Sequence, residues 1–233
     1  VSKTRPCIGI VLSGGSGRRF KPDVPKQFFQ LEGKPIIRYS LDAMQRSEGI
    51  DGILVVYQAE TRAQTVSIGS DIDKIIGYVE GGETRQDSVF RALEYLRDQN
   101  KPVDSVVIHD SVRPYFSTVL GSVLKEIGSN DGIIPVLQLC DALYRQEPDQ
   151  TVSFPKREEY LRVQTPQGFR FPSIYEAHRK ANEENKHHFP DDGSLFYHYG
   201  GRLMMVKGSP YNIKITTLVD IPIAKAFAIY FKE

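Results

Sequence analysis

The sequence holds only two cysteines, Cys7 inside an apolar run and Cys140, too few for a disulfide framework or a spaced set of thiolate metal ligands. That scarcity fits a reducing compartment. Charge of one sign is lacking too: 30 basic and 29 acidic residues leave a formal net charge of +1, so no overall field draws nucleic acid or an anionic membrane. Any anion site has to be built locally. No apolar stretch reaches the roughly 18 residues of a membrane helix, and the basic first residues, 1–6, lead into no long signal-like apolar core. A cytoplasmic protein with no membrane span and no nucleic-acid partner is expected.

What is present suffices for a substantial core: 233 residues, 40% of them hydrophobic, allow one large α/β domain or two small ones. Short β-rich runs recur at residues 7–12, 52–57, 74–79, 103–108 and 132–136, each followed by a helix-like segment. Strands alternating with helices predict a mainly parallel sheet covered on both faces. After Gly81-Gly82, Thr84 is the expected N-cap of a helix whose Val89, Ala92, Leu93 and Leu96 recur at helical spacing. Further helices are expected over 36–46, 118–127 and 173–182. Between residues 137 and 164 the pattern turns polar around Pro148-Asp149, which predicts a projecting hairpin. Such a hairpin is marginal alone in water and needs something to pack against, most simply a second subunit. No repeat or linker interrupts the chain, so a single domain over 1–233 is expected.

The first strand runs into Ser13-Gly14-Gly15-Ser16-Gly17-Arg18-Arg19, followed by Pro25-Lys26-Gln27. A glycine-rich turn at the carboxyl end of a first parallel strand is where open α/β sheets bind ligands. Glycine lets backbone N–H groups converge on an anion, and the arginines and lysine supply charge. A Walker loop is excluded, because Arg18-Arg19 stand where Lys-Ser/Thr is required. A dinucleotide fingerprint is only fragmentary, since Phe20 replaces its last small residue. An ordinary Gly/Ser turn with solvated basic residues remains the plainer alternative.

Other motifs also follow strand ends or lie farther along the chain: Gly82-Glu83-Thr84-Arg85 with Ser88, His109-Asp110 with Arg113-Pro114, Thr165-Pro166-Gln167, Asp191-Asp192, and Asn212-Ile213-Lys214-Ile215-Thr216. In this order they resemble the 2-C-methyl-D-erythritol 4-phosphate cytidylyltransferase family and its near relative, ribitol-5-phosphate cytidylyltransferase. The resemblance runs from Ile8 to about Ala226 and implies a Rossmann-like fold with a β-arm that interlocks two subunits.

The implied reaction is attack of a polyol phosphate on the α-phosphorus of CTP, with release of pyrophosphate. By that resemblance Arg19, Lys26 and Lys214 are catalytic cations around the triphosphate. Ser13, Gly14, Gly15 and Gly17 belong to the CTP-binding loop, while Gly82, Glu83 and Ser88 read the cytosine. Asp110, Thr165 and Lys214 face the acceptor, with orienting Lys214 or helping to hold a metal-nucleotide complex as the alternatives for Asp110, and Arg157 reaches the acceptor phosphate of the neighbouring subunit. Arg85 either contacts ligand or braces its loop, Ser88 is alternatively a helical serine bonded to its own backbone, and Arg113 is alternatively a structural ion-pair partner. His109 is expected to be packed rather than a base, because the attacking phosphate is already ionised.

Magnesium is implied as the companion of CTP, with no confident protein ligand. The sequence departs from the commonest family pattern at Asp141-Ala142, where a threonine usually follows the aspartate. The expected product is 4-diphosphocytidyl-2-C-methyl-D-erythritol, an isoprenoid precursor. Ribitol phosphate or another polyol phosphate as acceptor, a non-catalytic nucleotide-binding protein and a nucleotide-sugar pyrophosphorylase are the alternatives.

Overall fold

The computed structural model describes residues 6–14, 20, 25–99 and 101–230. In chain order its first strands are β1 (Cys7–Leu12), β2 (Gln30–Leu31), β3 (Lys34–Pro35), β4 (Gly52–Tyr57), β5 (Ile75–Glu80) and β6 (Ser105–Asp110). There follow β7 (Gly132–Gln138), β8 (Arg145–Gln146), β9 (Val152–Ser153), β10 (Leu161–Val163), β11 (Gln167–Arg170) and β12 (Leu203–Lys207). The α-helices are α1 (Ile36–Arg46), α2 (Arg62–Ile68), α3 (Arg85–Asp98), α4 (Ser117–Glu126), α5 (Phe171–Glu183), α6 (Asp192–His198) and α7 (Asp220–Ala228).

β1 is buried along its whole length between β4 and β6, to both of which it runs parallel. β5 extends the sheet beyond β4, also in parallel. On the other side β11 pairs antiparallel with β6 and β7, β10 pairs antiparallel with β7, and β12 returns to run parallel with β7. The expected mainly parallel, mixed sheet is therefore present. Its register sets Leu12 opposite both Val56 and Asp110, so the central strands end level and their following loops meet at one edge.

Both faces are covered, as continuous apolar strands require. Ile8, Ile10 and Leu12 join the core built under α3, α5 and α6, while Cys7 and Val11 join the core under α1 and α4. The alternation is the period of two that a pleated strand imposes. A smaller apolar cluster packs α7 residues Ile221 and Ala224 against Leu31, Ile36 and Val112.

α3 begins as its sequence predicts. Thr84 Oγ1 accepts from Asp87 N, and Asp87 Oδ2 accepts from Thr84 N, each at 3.0 Å, closing a capping box. Val89, Ala92, Leu93 and Leu96 are all buried. Three strands shift by one or two residues: β5 is Ile75–Glu80, β7 runs on to Gln138, and β6 begins at Ser105, where Asp104 N and Ser105 N both turn to Pro6 O at 2.9 and 3.3 Å. α5 starts at Phe171, two residues ahead of expectation, with Pro172 in its first turn, where a missing N–H is harmless. β2, β3, β11, β12, α6 and α7 lie outside the elements expected from the sequence. They are short, and β12 has no buried residue, so it carries no clear apolar period.

The hairpin expected between 137 and 164 is formed by β8 and β9. Its turn closes with Glu147 N to Thr151 O at 2.9 Å and Asp149 Oδ1 accepting from Thr151 N at 3.0 Å. No residue from 138 to 163 is buried, and the base of the segment, β10, stays paired with β7 in the central sheet. Among the described residues no helix is long and apolar enough to cross a membrane.

Candidate active site

The carboxyl ends of β1, β4, β5 and β6 open onto one cleft of about 750 Å³, lined by Gly14, Lys26, Gly82, Glu83, Ser88, Asp110 and Lys214 among others. These seven expected site residues thus converge, together with Thr84 and Arg85. Gly15, Gly17 and Arg19 lie outside the described residues. Ser13 is buried just behind the cleft, with its N–H on Val56 O at 2.8 Å. Thr165 and Arg157 do not line it.

Two glutamines that the sequence reading gave no role of their own brace the first loop. Gln27 Nε2 donates to Ser13 O at 2.9 Å, and Gln58 Nε2 donates to Gly14 O at 3.0 Å. A Cβ on Gly14 would lie 2.7 Å from that Gln58 nitrogen, so a side chain here would push the Gln58 amide off Gly14 O. Pro-Lys-Gln carried a signal for Gln27; nothing in the sequence pointed to Gln58. Among the described residues Ser13 Oγ and Gln27 Oε1 are buried with no hydrogen-bond partner.

Across the cleft, Gly82 N donates to Ser88 Oγ at 3.1 Å while the Ser88 hydroxyl donates to Thr84 O at 2.9 Å. Ser88 therefore makes the local backbone bond of a helical serine, and it also lines the cleft. A Cβ on Gly82 would come within 2.4 Å of Asp87 Cβ.

At the end of β6, Asp110 collects cations. Lys214 Nζ is 2.8 Å from Oδ2, Arg85 Nε is 3.1 Å from Oδ1, and Arg113 Nε stands 3.9 Å from Oδ2. Burial alone would raise the carboxyl's pKa, but Arg85, Lys214 and Arg113 outweigh it and hold Asp110 far below the usual carboxylate range. Arg85 also reaches Asp192, with Nη1 2.8 Å from Oδ2. Arg85 thus braces as well as lines the cleft.

Lys214 arrives from far along the chain because the preceding segment is fastened to the sheet. Asn212 Nδ2 donates to Thr165 O at 2.8 Å, Gln164 Nε2 donates to Ser209 O at 2.8 Å, and Arg113 Nη1 donates to Asn212 O at 2.9 Å. Ile215 N then donates to Val112 O at 2.9 Å. Thr216 and Thr217 end the segment with their N–H groups on Asp220 Oδ2, at 2.7 and 2.8 Å.

His109 is fully buried and stacked on Phe116 with ring centroids 3.7 Å apart. Its Nε2 lies 3.2 Å from Arg113 O, which only accepts, so that nitrogen carries the proton. Nδ1 then accepts from the Thr165 hydroxyl at 3.1 Å, and Thr165 Oγ1 accepts from Asp110 N at 3.1 Å. Burial pulls the His109 pKa down to about 3. The ring is a neutral packed group, as expected, and Thr165 is engaged in holding Asp110.

Arg157 lies in the arm, where Nη1 donates to Cys140 O at 2.7 Å and Nε is 3.1 Å from Glu158 Oε1. Among the described residues no group of three or more His, Cys, Asp or Glu side chains is placed to hold a metal ion.

Lysines from opposite ends of the chain facing a glycine-lined cleft at the carboxyl edge suit the handling of a polyphosphate. On this sheet they mark a nucleotidyltransferase. The model of the 2-C-methyl-D-erythritol 4-phosphate cytidylyltransferase family matches residues 7–229, and the chain belongs to that family.

Among its relatives is a 2-C-methyl-D-erythritol 4-phosphate cytidylyltransferase of Lachnospira eligens, 33% identical and covering 94% of this chain and 97% of that protein. A protein of Bifidobacterium longum with the same name is 32% identical over 97% of this chain and 81% of its own length. A bifunctional IspD/IspF enzyme of Chelativorans sp. is 35% identical over 95% of this chain, which spans only 55% of that relative. Among solved structures, 4-diphosphocytidyl-2C-methyl-D-erythritol synthase of Anaerococcus prevotii superposes with a TM-score of 0.84 at 27% identity, covering 99% of this chain and all of that one.

Proposed function

We propose that this chain is a single catalytic unit that transfers CMP from CTP to 2-C-methyl-D-erythritol 4-phosphate. An acceptor phosphate oxygen forms the new bond to the α-phosphorus while the bond to the β-phosphate oxygen breaks, and the electron pair leaves with pyrophosphate. No base is required, because the attacking phosphate is already ionised, and the neutral, buried His109 fits that requirement. Attack of one anion on another builds negative charge at phosphorus, so catalysis is alignment plus cations.

The observation that carries this reading is the convergence of Lys26, the Gly82–Ser88 turn, Asp110 and Lys214 on one cleft. Lys26 and Lys214, with Arg19, steady the transition state. Ser13, Gly14, Gly15 and Gly17 hold the triphosphate, and Gly82, Glu83 and Ser88 read the base, where cytosine's amino donor and ring acceptor distinguish it from uracil. Asp110 and Lys214 meet the acceptor, with Thr165 behind them. The relatives carrying the methylerythritol name support that acceptor over ribitol 5-phosphate.

Magnesium enters with CTP. Both Asp110 oxygens already face cations, which fits an ion held chiefly by phosphate oxygens and water. When bound it neutralises triphosphate charge. The arm, with Tyr144 and Phe154 each 68% exposed and their rings 5.0 Å apart, is proposed to clasp a second copy and carry Arg157 to that copy's acceptor phosphate. A cytoplasmic setting accords with two free cysteines.

The test is a pyrophosphate-release assay crossing CTP, UTP, ATP and GTP with methylerythritol phosphate, ribitol phosphate and sugar 1-phosphates. Release with CTP and methylerythritol phosphate above all other pairs is expected. No release with any CTP pair overturns the proposal.

A further inference from the structure

The charged chain at the cleft does not stop at Asp110. Behind it, Arg85 bridges two carboxylates, with Nε 3.1 Å from Asp110 Oδ1 and Nη1 2.8 Å from Asp192 Oδ2. Asp192 in turn faces His178, whose Nε2 lies 3.3 Å from Oδ1. Asp192 and His178 are each 1% exposed, and neither lines the cleft. A buried carboxylate that touches no ligand surface yet holds a cleft residue calls for a role.

Asp192 is a fixed post. It opens α6, whose cap Asp191 accepts from Ser194 N at 2.8 Å and from Gln167 Nε2 at 2.7 Å. Gln167 Oε1 accepts from Gly193 N at 3.1 Å. Because Gln167 belongs to β11, the helix start is tied to the sheet. Lys214, by contrast, keeps a 39% exposed side chain on a flexible stem.

We propose that Asp192 is a positioning residue: by holding Arg85 from behind, it limits that guanidinium to one oxygen of Asp110 and leaves the other to Lys214. The inference rests on the reading of this cleft as the nucleotidyl-transfer site. Its physical basis is the geometry of the guanidinium fork. Arg offers five N–H donors and favours bidentate carboxylate pairing. Relieved of Asp192, Arg85 turns both arms to Asp110, and the ammonium of Lys214 loses its anchor on Oδ2. A displacement of this kind by a residue remote from the reacting atoms strongly lowers turnover.

The decisive variant is Asp192→Asn, nearly isosteric but uncharged. In the ligand-free protein the isotope-labelled ε-methylene signal of Lys214, assigned with Lys214→Arg, is expected to shift. Turnover is expected to fall about tenfold or more while the KM for CTP stays within about twofold. In an Arg85→Met background the same substitution is expected to have no further effect, since Asp192 acts only through Arg85.

An unmoved Lys214 signal with unchanged kcat overturns the proposal, as does an equal rate loss in the Arg85→Met background. If Asp192→Asn does not unfold cooperatively, Arg85→Lys takes its place, a cation too short to bridge both carboxylates. The Lys214 signal and kcat must then change together, or the proposal fails. Should the parent protein release no pyrophosphate with any pair, the function reading fails while the Lys214 signal still decides this one.

Discussion

Asn212 Nδ2 donates to the main-chain oxygen of Thr165 across 2.8 Å, and the asparagine is fully buried. This bond ties the segment bearing Lys214 to the strand edge bearing Asp110. Asn212→Ala leaves the Thr165 carbonyl short of a donor, for an expected loss of about 1–3 kcal/mol of stability. Turnover should fall with it, because Lys214 loses its approach. Denaturant unfolding alongside a pyrophosphate-release assay checks both, and full stability with full activity would reject the account.

Lys26 enters the cleft from a short 3-10 turn, Lys26–Phe28. Lys26→Ala is expected to reduce turnover well over tenfold, a loss of about 1.4 kcal/mol or more of transition-state stabilisation. Steady-state kinetics at saturating CTP gives the answer, and a near-normal rate would strike Lys26 from the catalytic set.

Gly82→Ala tests the base-reading turn. The added Cβ meets Asp87 Cβ at 2.4 Å and Asp87 main-chain atoms at 3.2 and 3.3 Å, none of which belongs to a flexible side-chain end. The turn must shift, so the KM for CTP is expected to rise more than the KM for the acceptor. An unchanged CTP KM would show that this turn does not touch the nucleotide.

Arg157→Ala should weaken saturation by the acceptor more than by CTP, since its guanidinium lies outside the cleft of its own chain. If it serves the neighbouring copy, mixing Arg157→Ala with Lys26→Ala restores about a quarter of parental activity, because random pairing in a C2 dimer leaves one intact site in half of the dimers. No restoration after subunit exchange would confine Arg157 to its own chain.

Acid should destabilise the protein through His109. Its ordinary pKa of 6.5 is pulled down to about 3 by burial, so the folded state refuses a proton that the unfolded state accepts. The stabilisation is fully present above pH 6.5 and is lost as pH falls toward 3, at up to about 1.4 kcal/mol per pH unit. Asp110 acts in the same direction at lower pH: its depressed folded pKa means that stability is lost only below the usual value of 3.8. Denaturant melts across the range from 6.5 to 4.5 should show the slope, and His109→Gln should flatten it. A parental stability flat across that range would contradict the assignment.

Much of this architecture was legible in the chain because it rests on local rules. The apolar run 7–12 reads as a strand covered on both faces, and Thr84 announces the start of α3. The motifs after β1, β5 and β6 lie at one edge because parallel strands all end there, a consequence of topology that strand order alone implies. Gln58 was invisible, since a lone glutamine after a strand has no distinguishing pattern; its role exists only because β1 and β4 are neighbours.

The sequence by itself determined the alternating strands and helices, the glycine turns, and the residue types gathered for a triphosphate. Tertiary structure alone decided how the charges are shared: that Lys214 takes one oxygen of Asp110 and Arg85 the other, that Asp192 holds Arg85 from behind, and that His109 is neutral. The reason is physical. Local propensity depends on neighbours along the chain, whereas ion pairing and burial depend on distances through space, which only the folded sheet brings to a few ångströms.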